Sequence, residues 1–185
     1  MKRFIIIGGS DAGISAALRA KEIDSSIDIT MILADRYPNF SICGLPFYIS
    51  GEVKHWRNLA HRTREDIESH GIQVLDEHLA EHIDPGMKSV KIRDLNSNEI
   101  KTVNYDALLI GTGAVSAQPP IEGTGLPGVF FLRWMDDSFA VKKYIQEHQP
   151  KSISIIGAGY IGLEMADAMR HLGLDVMVIE YSLRY

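Results

Sequence analysis

The spacing of apolar positions changes several times along the chain, and each change marks an element. Phe4-Ile5-Ile6-Ile7 is an unbroken apolar run that closes on two glycines, which reads residues 2–7 as a strand buried on both faces. Helical spacing follows over residues 12–23, with Ile14, Ala17, Leu18 and Ala20 near one face; a second strand covers 27–33. Residues 37–51 are punctuated by Pro and Gly and hold a short apolar turn at 45–49. Residues 63–70 predict a helix stopped by Gly71, and 72–75 a strand. Alternation over 89–94 and 100–103, across Asn96-Ser97-Asn98, predicts a hairpin. Residues 105–110 form another apolar strand, ending at Gly111-Thr112-Gly113-Ala114.

Gln118-Pro119-Pro120, followed by Gly123, Gly125, Pro127 and Gly128, marks a domain boundary. Beyond it the opening pattern returns. A helix over 136–148, capped by Asp136 or Asp137, leads to a strand at 152–156, a helix at 160–172 and a strand at 175–179. The expected division is therefore 1–120 and 121–185. Two parallel strands leave an open edge, so the second domain reads as unfinished.

The 185 residues carry a net charge of −5, with no basic run longer than Lys142-Lys143, which argues against nucleic acid as a ligand. The apolar run at the N-terminus is far too short for a signal h-region or a membrane span. A single cysteine permits no intrachain disulfide and fits a reducing compartment, so a cytoplasmic location is expected.

Each of the two strand–helix junctions carries a glycine fingerprint. The second, Gly157-x-Gly159-x-x-Gly162, matches G-x-G-x-x-G in full, with Tyr160 and Ile161 between its last two glycines. Gly157 permits the tight turn, Gly159 lets a pyrophosphate approach the backbone, and Gly162 lets helix and strand pack closely. The helix N-terminus then offers amides and partial positive charge to a diphosphate. Glu180 ends the following strand, where a carboxylate hydrogen-bonds the ribose hydroxyls and repels a 2′-phosphate, favouring NADH over NADPH. The first fingerprint reads Gly8-Gly9-Ser10-Asp11-Ala12-Gly13, with serine at the second glycine position and Asp35 as the candidate ribose acid. Asp11 complements the helix dipole but stands close to where a diphosphate would lie.

Two nucleotide sites imply two cofactors exchanging electrons. Cys43, in Phe40-Ser41-Ile42-Cys43-Gly44-Leu45-Pro46, has two readings: a small buried hydrophobe, or a low-pKa thiol that passes electrons from a reduced flavin to a substrate. The seven histidines lack metal-ligand spacing, so no metal is expected, and no Gly-x-Ser-x-Gly elbow supports a hydrolase.

Taken in order, these segments resemble the FAD-dependent pyridine nucleotide-disulfide oxidoreductases, in the single-cysteine branch of NADH oxidases, NADH peroxidases and coenzyme A-disulfide or persulfide reductases. The similarity runs through Gly8 to Gly13, residues 40–53, 62–85, Gly111-Thr112-Gly113-Ala114, Pro120-x-x-Gly123, Met135-Asp136-Asp137 and Gly157 to Glu164. It implies an α/β fold: a three-layer Rossmann-like FAD-binding domain with an inserted antiparallel β segment, followed by the start of a second Rossmann-like NAD(P)-binding domain. It implies that Gly8, Gly9, Ser10, Asp11, Ala12 and Gly13 hold the FAD diphosphate and that Asp35, with Arg36 beside it, meets the adenosine ribose. By the same resemblance Ala80 contacts the adenine, Thr112 and Gly113 line the FAD site, and Cys43 is the redox cysteine facing the flavin. Gly157, Gly159, Tyr160, Ile161 and Gly162 would bind NADH, with Glu164 near the nicotinamide–flavin contact.

The resemblance has departures. Peroxidases carry a histidine where this chain has Asp11. Coenzyme A-disulfide reductases place Asn before the cysteine and a basic residue late in the first helix, where this chain has Ile42 and Glu22. Gly44-Leu45-Pro46-Phe47-Tyr48 nonetheless looks more like those reductases than like water-forming oxidases. Family members run to more than twice this length, and the remainder would include the segment that forms a homodimer. The expected activity is NADH-dependent electron transfer through FAD and Cys43 to a small disulfide, persulfide or oxygen species. Two alternatives stay open: an electron carrier that reduces a partner protein and has a structural cysteine, or a catalytically incomplete nucleotide-binding fragment.

Overall fold

A computed structural model describes residues 2–181; Met1 and residues 182–185, at the outer ends of the two expected domains, lie outside it. The first elements are β1 (Arg3–Ile7), α1 (Asp11–Ile23), β2 (Asp28–Ile32) and α2 (Leu45–Ser50), a short helix preceded by a single 3-10 turn at Ile42–Gly44. Then come α3 (Arg64–Ser69), β3 (Ile72–Leu75), β4 (His78–Asp84), β5 (Ser89–Asp94), β6 (Ile100–Asn104) and β7 (Ala107–Ile110). The last elements are α4 (Met135–His148), β8 (Ser152–Ile156), α5 (Tyr160–His171) and β9 (Asp175–Ile179). The chain divides into two compact units, one of residues 1–40 and 60–114 and the other of 41–59 and 115–185. This differs from a single cut at 120, because the segment around Cys43 belongs with the second unit.

The first unit is built on a parallel sheet in the order β3-β2-β1-β7. Its central strands are largely apolar because both faces are covered, with Thr30 of β2 bonded to Gln73 of β3. Ile6, Ile29 and Met31 point to one side and pack with Ile14 and Ala17 of α1 and Ile67 of α3. Ile5, Ile7 and Ile32 point to the other and pack with Val90 and Ile92 of β5. Each such side chain, fully buried, contributes roughly 1.5–3 kcal/mol, far more than any exposed ion pair on this unit. The second layer of strands is an antiparallel sheet, β4-β5-β6. It contains the expected hairpin and adds β4, whose register shifts between Ala80 and His82. His78 and His82 therefore lie on a strand, and among the described residues no cluster of His, Cys, Asp or Glu could hold a metal.

α3 begins at a reciprocal cap: the Asp66 amide donates to Thr63 Oγ1 at 3.1 Å and the Thr63 amide donates to the Asp66 carboxylate at 2.9 Å. The Thr63 amide and, after it, the Thr63 hydroxyl bond the Asp66 carboxylate and hold that carboxyl below its ordinary range.

In the second unit β8 and β9 pair in parallel, joined through α5. Met165, Ala168 and Met169 of α5 pack with Val141 of α4, Ile49 of α2 and the inward residues Ile153, Ile155 and Val176. The other face of the two strands exposes Ile156, Met177 and Ile179. α4 is capped by Asp137, whose carboxylate accepts the amides of Arg133 and Trp134 at 2.8 and 2.7 Å. The apolar stretch read as a turn at 45–49 is helical. Pro46 sits in its first turn, where the missing N–H costs nothing, and Gly51 closes it in a left-handed conformation. Among the described residues no helix is long and apolar enough to cross a membrane.

Candidate functional site

In the first unit the chain leaves β1 through Gly8, at φ 118°, a region open to glycine and closed to side chains. A Cβ there would also collide with the Gly111 carbonyl. The Gly8 amide donates to Ile32 at 2.9 Å, and the Gly111 amide donates to Ile7 at 2.7 Å, so the turn is braced by both neighbouring strands. Ser10 is the N-cap of α1 in ordinary extended conformation, φ −94° and ψ −173°, and its hydroxyl makes no cap bond. Gly13 lies so close to the Gly8 carbonyl that a Cβ would come within 2.5 Å of it.

The carbonyls of this loop are turned inward: Gly9 accepts the Asn39 amide at 2.8 Å and Ser10 accepts the Ile14 amide at 3.1 Å. By helix geometry the first amides of α1 have no partner within the helix. Gly9, Ser10, Asp11 and Ala12 all keep surface exposure. Main-chain N–H groups at a helix start are suited to an anion such as a diphosphate, and the Asp11 carboxylate stands beside them.

The other predicted residues of this unit gather at two places beside the loop. Thr112 and Gly113 follow Gly111, the residue against which Gly8 rests; Gly113 is left-handed at φ 68°. Asp35 and Arg36 lie just past β2. The Asp35 carboxylate accepts the Tyr37 amide at 2.9 Å, and its carbonyl accepts the Glu77 amide at 3.1 Å. Arg36 pairs with Glu77 at 2.9 Å. Ala80 enters the same neighbourhood because the His78 amide bonds the Leu33 carbonyl at 2.7 Å, fixing the start of β4 to the exit of β2.

The second unit repeats the turn. Gly157 has φ 104°, and its amide donates to Ile179 at 2.8 Å. Gly159 caps α5 with φ −70° and ψ 178°, and a Cβ on it would meet nothing within 4 Å. That open space is where a diphosphate would approach. Gly162 is pressed on the Gly157 carbonyl, which a Cβ would strike. Tyr160, 90% exposed, and Ile161 stand at the outside of the helix start. The Glu180 carboxylate reaches back and accepts the Ala158 amide at 2.7 Å, so the acid and the glycine loop meet directly.

Glu164 lines a cleft of about 280 Å³ on this unit, together with Phe47, Glu52, Leu163 and Asp167. Phe47 belongs to α2, so the cleft joins the glycine helix to the segment that follows Cys43. Cys43 itself is exposed within its 3-10 turn. α2 is held by α4. Phe139 meets the Tyr48 and Trp56 rings edge-on at 5.7 and 6.0 Å. Lys142 donates to the Tyr48 carbonyl at 2.6 Å and lies 4.0 Å over the Tyr48 ring. Burial pushes the Lys142 ammonium below the usual lysine range and the Tyr48 phenol above its own.

Asn39 and Lys142 are the structural partners that sequence reasoning did not single out. Asn39 lies in the Pro- and Gly-punctuated stretch 37–51, and Lys142 belongs to the pair Lys142-Lys143. Neither carries a motif.

The family described as pyridine nucleotide-disulphide oxidoreductase matches residues 2–184. An NADH oxidase of Methanocaldococcus jannaschii is 37% identical over 181 residues, 97% of this chain and 40% of that protein. An NAD(P)H coenzyme A polysulfide/persulfide reductase of Pyrococcus horikoshii is 34% identical over 179 residues, covering 96% and 39%. Among solved structures, an NAD-dependent persulfide reductase from A. fulgidus superposes with a TM-score of 0.93 at 37% identity, covering 98% of this chain and 34% of that one. The chain thus spans about two-fifths of the length of the curated relatives it matches.

Proposed function

The chain belongs to the pyridine nucleotide-disulphide oxidoreductase family, and from that membership we propose that its protein is an NADH-dependent flavoprotein acting on a small disulfide, persulfide or oxygen species through Cys43. The observation that carries this reading is the duplicated turn: two glycine loops of the same backbone geometry, with an exposed cysteine in the segment between them. Gly8 to Gly13, Asp35, Arg36, Ala80, Thr112 and Gly113 would hold FAD, and Gly157 to Gly162 with Glu164 and Glu180 would hold NADH. The Glu180 carboxylate, fixed on the Ala158 amide, disfavours a 2′-phosphate and so NADPH.

Bound FAD would take hydride equivalents from the nicotinamide and return an electron pair to sulfur. The chain's own chemistry is nucleophilic. With a disulfide substrate, the Cys43 thiolate attacks one sulfur, the S–S bond breaks, one thiolate leaves and a mixed disulfide stays on Cys43. Exposure of Cys43 supports that access, and the aromatic and Lys142 contacts on α2 would keep the segment in place. A reducing cytoplasm suits a working thiol, and a homodimer is the assembly the resemblance implies.

Cys43→Ser is the test, in the complete protein. It should keep FAD and lose thiol-dependent turnover, and anaerobic reduction should fall from more than one electron pair per flavin to one. Disulfide reductase activity unchanged in the variant would overturn the role of Cys43. Uptake of a single electron pair by the unsubstituted protein would favour an electron carrier with a structural cysteine.

A further inference from the structure

Asp11 poses an electrostatic problem: a carboxylate on the first residue of α1 is set beside the amides that would receive a diphosphate. It favours the helix dipole but opposes an anionic ligand. We propose that Asn39 is a positioning residue that resolves this conflict, by holding the Asp11 carboxylate and the Gly9 carbonyl in hydrogen bonds directed to itself. The proposal rests on the reading of Gly8 to Gly13 as the FAD diphosphate loop.

Three bonds fix Asn39. Its side-chain amide donates to Asp11 Oδ1 at 2.9 Å, its backbone amide donates to the Gly9 carbonyl at 2.8 Å, and its carbonyl accepts the His61 amide at 2.9 Å. Asn39 is only 4% exposed, and it is left-handed at φ 54°, a conformation asparagine tolerates better than other side-chain-bearing residues. A buried amide in that conformation, spanning the loop and residue His61, is a costly arrangement for a mere surface turn. Its effect is specific. The Gly9 carbonyl is tied inward by the Asn39 backbone amide and one oxygen of the Asp11 carboxylate by the Asn39 side chain, both by the same residue. The amides at the start of α1 are then what the ligand meets.

Asn39→Gly removes only the side chain, since glycine accepts the left-handed backbone and keeps both main-chain bonds. In the complete protein it should weaken FAD affinity about tenfold at low ionic strength, with the loss shrinking as salt screens the freed carboxylate. In an Asp11→Ala background the same substitution should change affinity by no more than about twofold, because the amide acts through Asp11. A second pair guards against a fold defect. Asn39→Asp should lose more, by setting two carboxylates against each other, and adding Asp11→Asn should restore binding, because a donor again faces an acceptor. Equal losses from Asn39→Gly with and without Asp11, or no recovery in the swapped pair, would overturn the positioning role. An unsubstituted protein that binds no FAD would instead overturn the flavin reading, and this proposal with it.

Discussion

The two glycine loops share a backbone and differ in what surrounds it. Gly8 and Gly157 both turn at positive φ, and Ser10 and Gly159 both cap a helix in extended conformation. Gly13 and Gly162 both sit on the carbonyl of the first glycine. The surroundings diverge at two points. The first loop is braced by β2 and β7, whereas among the described residues the second has a strand only on the β9 side. At the strand exit, the residue that follows β2 is Leu33, buried, with its side chain filling the space beside Gly9; the residue that follows β9 is Glu180, with its carboxylate on the Ala158 amide. The glycine pattern therefore specifies a backbone turn, and the two strand exits set different groups beside it. In the first unit the candidate acid, Asp35, comes two residues later and is already engaged with the Tyr37 amide.

The sharpest break in the symmetry is at the first glycine. Gly157→Ala meets no neighbour, so its cost is backbone strain alone, about 2 kcal/mol. Gly8→Ala carries the same strain and drives a Cβ into the Gly111 carbonyl, for a total of about 4 kcal/mol. Urea unfolding followed by hydrogen exchange at β1 and β8 amides would read the two losses separately. Equal losses would mean that the bracing by β7 contributes nothing to the turn.

The same contrast explains what was legible from sequence. β1 was readable because burial on both faces leaves Phe4 to Ile7 unbroken, and Ile5, Ile6 and Ile7 serve two different cores; in β2 only Thr30, bonded to Gln73, interrupts the apolar run from Ile29 to Ile32. β4 was not. Its register shifts between Ala80 and His82, and Leu79 on it is exposed, so neither alternation nor a continuous run survives. α2 is six residues long, too short for a period to show, and what makes it a helix is the packing of Ile49 against α4 and α5. The same long-range packing assigns residues 41–59 to the second unit, a fact carried by no local pattern. In the candidate site, the sequence left Cys43 between a buried and a reactive reading, while both fingerprints were visible as motifs. Asn39 was not, because its importance lies in three partners, in the loop 8–13 and at residue 61, and none of those is local in sequence.

The strand exits give the next test. Glu180→Ala removes the acceptor of the Ala158 amide and the carboxylate proposed to meet the ribose, so NADH affinity should fall about tenfold, the usual worth of a hydrogen bond to a charged group. Glu180→Arg should go further and move the preference toward NADPH, since the guanidinium offers a fork to a 2′-phosphate. Isothermal titration with both nucleotides checks this. A preference for NADH retained in the arginine variant would show that selection lies elsewhere than at the strand exit.

The smallest effect is expected where the two loops differ in residue but agree in geometry. Ser10 occupies φ −94° and ψ −173°, a region open to any residue, so it needs none of the freedom glycine would bring. Its hydroxyl makes no cap bond to lose. Ser10→Gly should therefore change stability by less than about 0.5 kcal/mol, and flavin retention should be the same as in the unsubstituted protein. In the other loop Gly159 is also extended and has open space around a would-be Cβ. Gly159→Ser should fold as well as the unsubstituted chain, so any deficit must appear in NADH titration alone. A thermal melt together with nucleotide titration separates the two. Loss of stability in either variant would mean that the second position is governed by the backbone, and that the agreement in φ and ψ between the loops misrepresents what each tolerates.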